Sequence, residues 1–149
     1  MQISGTVSTL LREKKHETFS VAPTTTVYAA IELMAQHNIG ALPVLERGKL
    51  VGMFSEREYT RKVILKGRAS RETAVGEIMI RKPIVVTSDE SIAECMRLMT
   101  EGRVRHLPVV DEDELTGILS IGDLVKWIIS AQTATIDQLT RYVFGEHEA

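Results

Sequence analysis

The sequence predicts an α+β fold, two β-α-β-β-α repeats packed about a pseudo-twofold axis, and three observations lead to it. Residues 19–64 match residues 84–129 without gaps at an offset of 65, which sets Leu42-Pro43-Val44 on Leu107-Pro108-Val109, Gly52 on Gly117 and Ser55 on Ser120. Within each copy the apolar period changes from strand-like to helix-like and back in the same order. A unit of about 60 residues buries too little surface to be comfortable alone, so the copies must share an interface.

The elements follow in chain order. Residues 1–18 form a lead-in, with a helix over 8–14. Residues 19–22, and 84–87 in the second copy, are β-branched or aromatic runs that read as short strands. Val27, Ala30, Ile31, Met34 and Ala35 recur at the spacing of a core-facing helix, as do Ile92, Cys95, Met96 and Met99. Two apolar runs then flank Glu46-Arg47-Gly48-Lys49, where Gly48 supplies the positive φ a hairpin loop needs; Asp111-Glu112-Asp113-Glu114 is the matching loop. A second helix starts at Ser55 and runs toward Leu65, or from Ser120 toward Ile129. Residues 65–83 link the repeats, with a short helix over 73–79 and Pro83 fixing entry to the second. Residues 130–149 carry a C-terminal helix in which Ile136, Leu139, Tyr142 and Val143 fall at helical spacing. The apolar faces of the end helices must be buried somewhere.

Composition narrows the function. The chain has 149 residues, 18 Lys plus Arg against 20 Asp plus Glu, a net charge of -2 and 44% apolar residues. That is an ordinary compact soluble composition with no overall basic field, so nucleic acid is not an expected partner. No apolar stretch approaches the roughly 18 residues of a membrane span, and residues 1–5 carry no leader pattern, so a cytoplasmic location without membrane contact is expected. The single Cys95 excludes an intramolecular disulfide, and its place on an apolar helix face reads as a structural thiol. His16, His37, His106 and His147 show no metal-ligand spacing. With no P-loop, no GxGxxG and no His at motif spacing from the serines, nothing supports catalysis.

Chemistry concentrates where a strand runs into a helix. Gly52-Met-Phe-Ser55-Glu-Arg-Glu58 and Gly117-Ile-Leu-Ser120-Ile-Gly-Asp123 share one pattern. A strand glycine permits close approach of another group, and the helix start turns free N–H donors toward any anion there. A serine hydroxyl suits a phosphate, and a carboxylate three residues on suits a ribose diol. Ser-x-x-acid is also a capping box, the preferred reading for Ser55 and Glu58. Gly122 tips Ser120 and Asp123 toward a ligand, because it weakens the helix start and is explained by clearance. Arg57 with Arg61, and Arg103, Arg105 and His106, are candidate phosphate clamps, of which Arg105 is preferred. Lys62, Lys66, Arg68 and Arg71 read as solvated, with Glu58 and Lys62 spaced for an i,i+4 pair.

The tandem β-α-β-β-α pattern, Ile-Gly-Ala-Leu-Pro-Val with Val-Arg-His-Leu-Pro-Val, and the two Gly-apolar-apolar-Ser-x-x-acid motifs together resemble a pair of cystathionine-β-synthase (CBS) domains, the Bateman module, of the stand-alone bacterial type. The resemblance implies a non-enzymatic regulatory module that binds adenine nucleotides (AMP, ADP, ATP or NAD(H)) in two clefts between the repeats. It implies one cleft of Ser120, Gly122 and Asp123 with Ile39, Gly40, Ala41 and Pro43, near His16 and Phe19. The other would use Ser55, Arg57 and Glu58 with Val104, Arg105, His106 and Pro108, and Lys82 and Ile84. Glu58 departs from the family's Asp. The resemblance further implies a flat homodimer and a separate regulated protein. The rival reading is a structural module with a vestigial cleft.

Overall fold

The computed structural model describes residues 3–14 and 17–144. His16, one of the expected cleft residues, and His147 lie outside them. In chain order the elements are α1 (Val7–Glu13), α2 (Val27–His37), β1 (Ala41–Glu46), β2 (Lys49–Ser55), α3 (Glu56–Glu58) continued by a π-helical stretch (Tyr59–Ile64), α4 (Val75–Ile78), α5 (Ile92–Gly102), β3 (His106–Asp111), β4 (Glu114–Ser120) and α6 (Ile121–Phe144). The α+β arrangement of two like repeats is therefore present.

Each repeat is a two-stranded antiparallel sheet covered by helices. Arg47 (φ 52°) and Gly48 (φ 77°) make the tight turn between β1 and β2, and Glu112 (φ 49°) with Asp113 (φ 66°) does the same between β3 and β4. Left-handed φ at both central positions matches the twist of the strands they join. Both hairpins shift register at the same place, between Val44 and Leu45 and between Val109 and Val110.

The strands expected at 19–22 and 84–87 shrink to single parallel bridges, Val21 on Val44 and Val86 on Val109. Local turn chemistry is the cause. Thr25 Oγ1 takes the Ala22 N–H, and Asp111 takes the N–H and hydroxyl of Ser88, so the neighbouring backbone is diverted from a ladder. The helix expected from Ser55 to Leu65 is helical but leaves the α register after Glu58, Leu65 N–H reaching Thr60 O. The expected Glu58–Lys62 pair is absent: Lys62 Nζ donates to Ile78 O (3.1 Å) and Glu58 turns back to Ser55. In the second repeat the helix that starts after Ser120 and the C-terminal helix are one unbroken element, α6.

Two cores result. Val27, Ala30, Met34, Leu42, Val44, Phe54 and Val63 pack with Val75, Ile78 and Met79 of the linker. Ile92, Cys95, Met99, Leu107, Val109, Leu119 and Leu124 pack with Val7 and Leu10 of α1. Thus α1 does for the second repeat what α4 does for the first, each entering by one antiparallel bridge, Thr6 on Ser91 and Thr26 on Ala74. Burial pushes the Cys95 thiol up to about 11, so it behaves as a small apolar side chain.

Candidate functional site

The strand glycines that signalled a ligand floor serve the protein's own packing. A methyl group at Gly52 would lie 2.6 Å from Met79 Sδ and 2.7 Å from Ile80 O, and one at Gly117 would lie 2.9 Å from Leu11 Cδ2. These positions are glycine because α4's exit and α1 lie against them. Gly122 differs: a methyl group there would meet Ser120 Oγ at an ordinary 3.6 Å and nothing else. Packing in the free protein gives no reason for that glycine.

Both Ser-x-x-acid motifs close as caps. Asp123 N–H donates to Ser120 Oγ (3.1 Å) while Ser120 N–H donates to Asp123 Oδ2 (2.7 Å). In the first repeat the N–H and hydroxyl of Ser55 both donate to Glu58 Oε1, at 3.0 and 2.5 Å, and Glu58 is 5% exposed. The difference lies in what else reaches the acid. Lys14, at the end of α1, donates to Asp123 Oδ2 (2.7 Å) and to Ile118 O (2.6 Å). Asp123 keeps 19% of its side chain exposed. Burial pushes its carboxyl up, but the Lys14 ammonium and the Ser120 N–H outweigh this and hold it below the usual range.

Strand pairing sets Ala41 opposite Ser55 and His106 opposite Ser120, so each serine stands beside the strand before Leu-Pro-Val of its own repeat. The repeats meet where a methyl group at Gly40 would lie 3.6 Å from both His106 Cε1 and Glu56 Oε1. Glu56 and Ile121 start their helices by donating N–H to Gly40 O (3.1 Å) and Arg105 O (2.8 Å). His106 is half-buried, and burial, then the nearby Lys14 charge, keeps its imidazole below its ordinary pKa and hence neutral at pH 7. Arg105 is exposed.

Other expected cleft residues are spread more widely. Arg57, a candidate clamp, instead ties the repeats by donating to Arg103 O (2.8 Å) at the end of α5. Phe19 stacks on His37 at 3.7 Å between ring centroids. Ala41, Pro43 and Pro108 are buried, Ile39 and Val104 half-buried, and Lys82 exposed. Ile84 packs against the second core. A separate hollow of about 360 Å³ lies at the hairpin ends, lined by Arg47, Lys49 and Glu114, away from Asp123. Sequence reading missed Lys14, which lies far from Asp123 in the chain.

The sequence profile of the CBS domain family matches residues 11–64 and 75–130. The chain is 41% identical over 125 residues to the mitochondrial CBS domain-containing protein CBSX3 of Arabidopsis thaliana, covering 80% of this chain and 61% of that one. It therefore spans less than two thirds of that relative. A CBS-domain signal-transduction protein from Burkholderia ambifaria superposes with a TM-score of 0.82 at 45% identity, over 86% of this chain and 96% of that one. CBSX2, whose structure is in complex with AMP, superposes with a TM-score of 0.67 at 30% identity, over 79% of this chain and 92% of that one. Two such repeats in one chain define a tandem CBS module. The chain belongs to the CBS domain family, and a CBS domain pair is a regulatory module. Among the described residues no helix is long and apolar enough to cross a membrane.

Proposed function

We propose that the module is an adenine-nucleotide sensor that takes AMP, ADP, ATP or NAD(H) at the Asp123 cleft and signals to a separate protein. The observation that carries this is the partly exposed Asp123 carboxylate at the start of α6, which takes a lysine side chain from α1 beside its own Ser120 N–H. Gly122, which no packing contact requires, leaves room beside it. Binding of AMP by the related CBSX2 supports the ligand class.

The ribose diol takes both oxygens of Asp123 and displaces Lys14. Arg105, which the resemblance set in the Glu58 cleft, has its carbonyl on the Ile121 N–H at the start of α6. Its exposed side chain therefore faces the phosphate here together with Lys14, and the Ser120 hydroxyl and the N-terminus of α6 add donors. The neutral His106 and Gly40 form the wall shared by the two repeats. Because Lys14 ends α1, and α1 closes the second core, release of the lysine changes how firmly α1 holds. Signalling requires nucleotide to bind the two states of this latch with different affinity. We place the module in the cytoplasm as a homodimer joined through its repeats.

The sealed Glu58 favours a second reading for the first cleft, a structural one. A thermal-shift panel of AMP, ADP, ATP, NAD, NADH and S-adenosylmethionine tests the sensor. A ligand at 100 times its Kd adds about 2.7 kcal/mol. A shift with at least one adenine nucleotide is expected, and none with any of them overturns the reading.

A further inference from the structure

The second half of α6 stands away from the module. Leu124 is buried in the second core, with Ile121 and Trp127 packed against it, but every residue from Ile129 to Phe144 is exposed. Ile129 is 57% exposed, Ile136 61%, Leu139 58% and Val143 71%. An isolated helical stretch of this size is marginal in water, and Thr133, Thr135 and Thr140 weaken it further.

Ile129, Ile136 and Val143 repeat every seven residues, so one stripe of the helix carries a β-branched side chain in each heptad. With Ile129 at position a of a heptad, Ile136 and Val143 also fall at a, while Val125, Gln132 and Leu139 fall at d. This is the seam of a coiled coil: β-branched residues at a are the choice of a parallel two-stranded one, and at d Leu139 matches that preference while Val125 and Gln132 depart from it. The flanks name the occupant. Beyond Lys126, the e and g positions are Ile128, Thr133, Thr135, Thr140 and Tyr142, none charged, whereas Asp137 and Arg141 sit at b and f, away from the seam. Flanking charges would repel an identical helix or select a different one, and beyond Lys126 this helix has none there. A groove of about 370 Å³, lined by Ile3, Trp127, Ile128 and Ile136, continues the apolar surface from the module onto the seam.

We infer that the occupant is a second copy of this chain, and that α6 pairs with its counterpart as a parallel, in-register coiled coil over Val125 to Val143. A two-fold axis then runs between the helices and each seam residue meets itself. This goes beyond dimerisation through the repeats and does not depend on nucleotide binding.

Cysteine cross-linking of the full chain under mild oxidation tests it, Cys95 being buried. Leu139→Cys should give a covalent dimer in most of the protein, and Arg141→Cys, on the opposite face, should give little. Ile136→Glu should weaken self-association at least tenfold by sedimentation. Equal cross-linking at 139 and 141, none at 139, or unchanged association of Ile136→Glu overturns the pairing. A wild type that stays dimeric while Leu139→Cys fails to link leaves dimerisation through the repeats standing, and a monomeric wild type removes both.

Discussion

The two Ser-x-x-acid sites begin from the same backbone and end with different chemistry. In the first repeat, Met53 exchanges both backbone hydrogen bonds with Ile80, and Glu58 is sealed against Ser55. In the second, the position of Met53 is taken by Ile118, and the donor to its carbonyl is a lysine side chain that also holds Asp123. A backbone bridge is released only by moving the segment after α4, whereas a lysine leaves by rotating about its own bonds. Both acids reach back to their own serine, but Glu58, one methylene longer, takes its N–H and hydroxyl together and is buried, while Asp123 takes the N–H and stays partly open to a group from elsewhere. A repeat can thus keep its fold while one copy becomes a fixed joint and the other a latch.

Substitutions at the two acids should separate these roles most clearly. Glu58→Ala strands the N–H and hydroxyl of Ser55 in a half-buried place and should lower stability by about 2 kcal/mol, within the cost of unsatisfied buried donors. Asp123→Ala removes a more exposed cap and should cost about 1 kcal/mol in the free protein. Urea melts of both variants check the order, and a larger loss for Asp123→Ala would reverse the comparison.

Arg105→Ala should weaken nucleotide binding about tenfold, the effect of one charged hydrogen bond, and leave the melting temperature unchanged because the side chain is exposed. Equal affinity in calorimetry would return Arg105 to the solvated surface. Gly122→Ala should act in opposite directions on stability and binding. The added methyl has space in the free protein and suits a helix, so stability rises by about 0.5–1 kcal/mol while nucleotide affinity falls. Unchanged affinity would remove clearance as the reason for this glycine.

The smallest effect is one of pH. Burial lowers the pKa of His106 in the folded state, so the unfolded chain takes the proton first. The resulting stability is complete above about pH 6.5 and is lost as pH falls toward the folded value. Asp123, also lowered, contributes stability that is complete above about pH 4 and lost below it, so the two windows separate. His106→Gln should flatten the slope of stability as pH falls below about 6.5. An unaltered slope would show that His106 does not titrate there.

Much of this fold was legible because its signals are local. The turn at Gly48 and the capping box of Ser55 with Glu58 each rest on a few neighbouring residues; the motif at Ser120 is as local, but its cap closes although Gly122 tipped the reading toward a ligand. What escaped depends on distant ones. Nothing near Lys14 announces Asp123, and Gly52 and Gly117 show that glycine signals a close approach without saying whose. A faint signal for α1 was present: Val7 and Leu10 have the same spacing as Val75 and Ile78, which mark the corresponding helix of the first repeat. The shrunken strands at Val21 and Val86 were lost to the side chains of Thr25 and Asp111, which compete for backbone donors.

Titration calorimetry with AMP on wild type, Asp123→Ala and Glu58→Ala tests the contrast between latch and joint most directly. A carboxylate that accepts two ribose hydroxyls contributes at least about 1.5 kcal/mol, so Asp123→Ala should lose tenfold or more in affinity at the tighter site. Glu58→Ala should bind there as wild type does, despite its lower stability. Loss of the tighter site in Glu58→Ala, with Asp123→Ala unaffected, would contradict the account and place the sensing cleft in the other repeat.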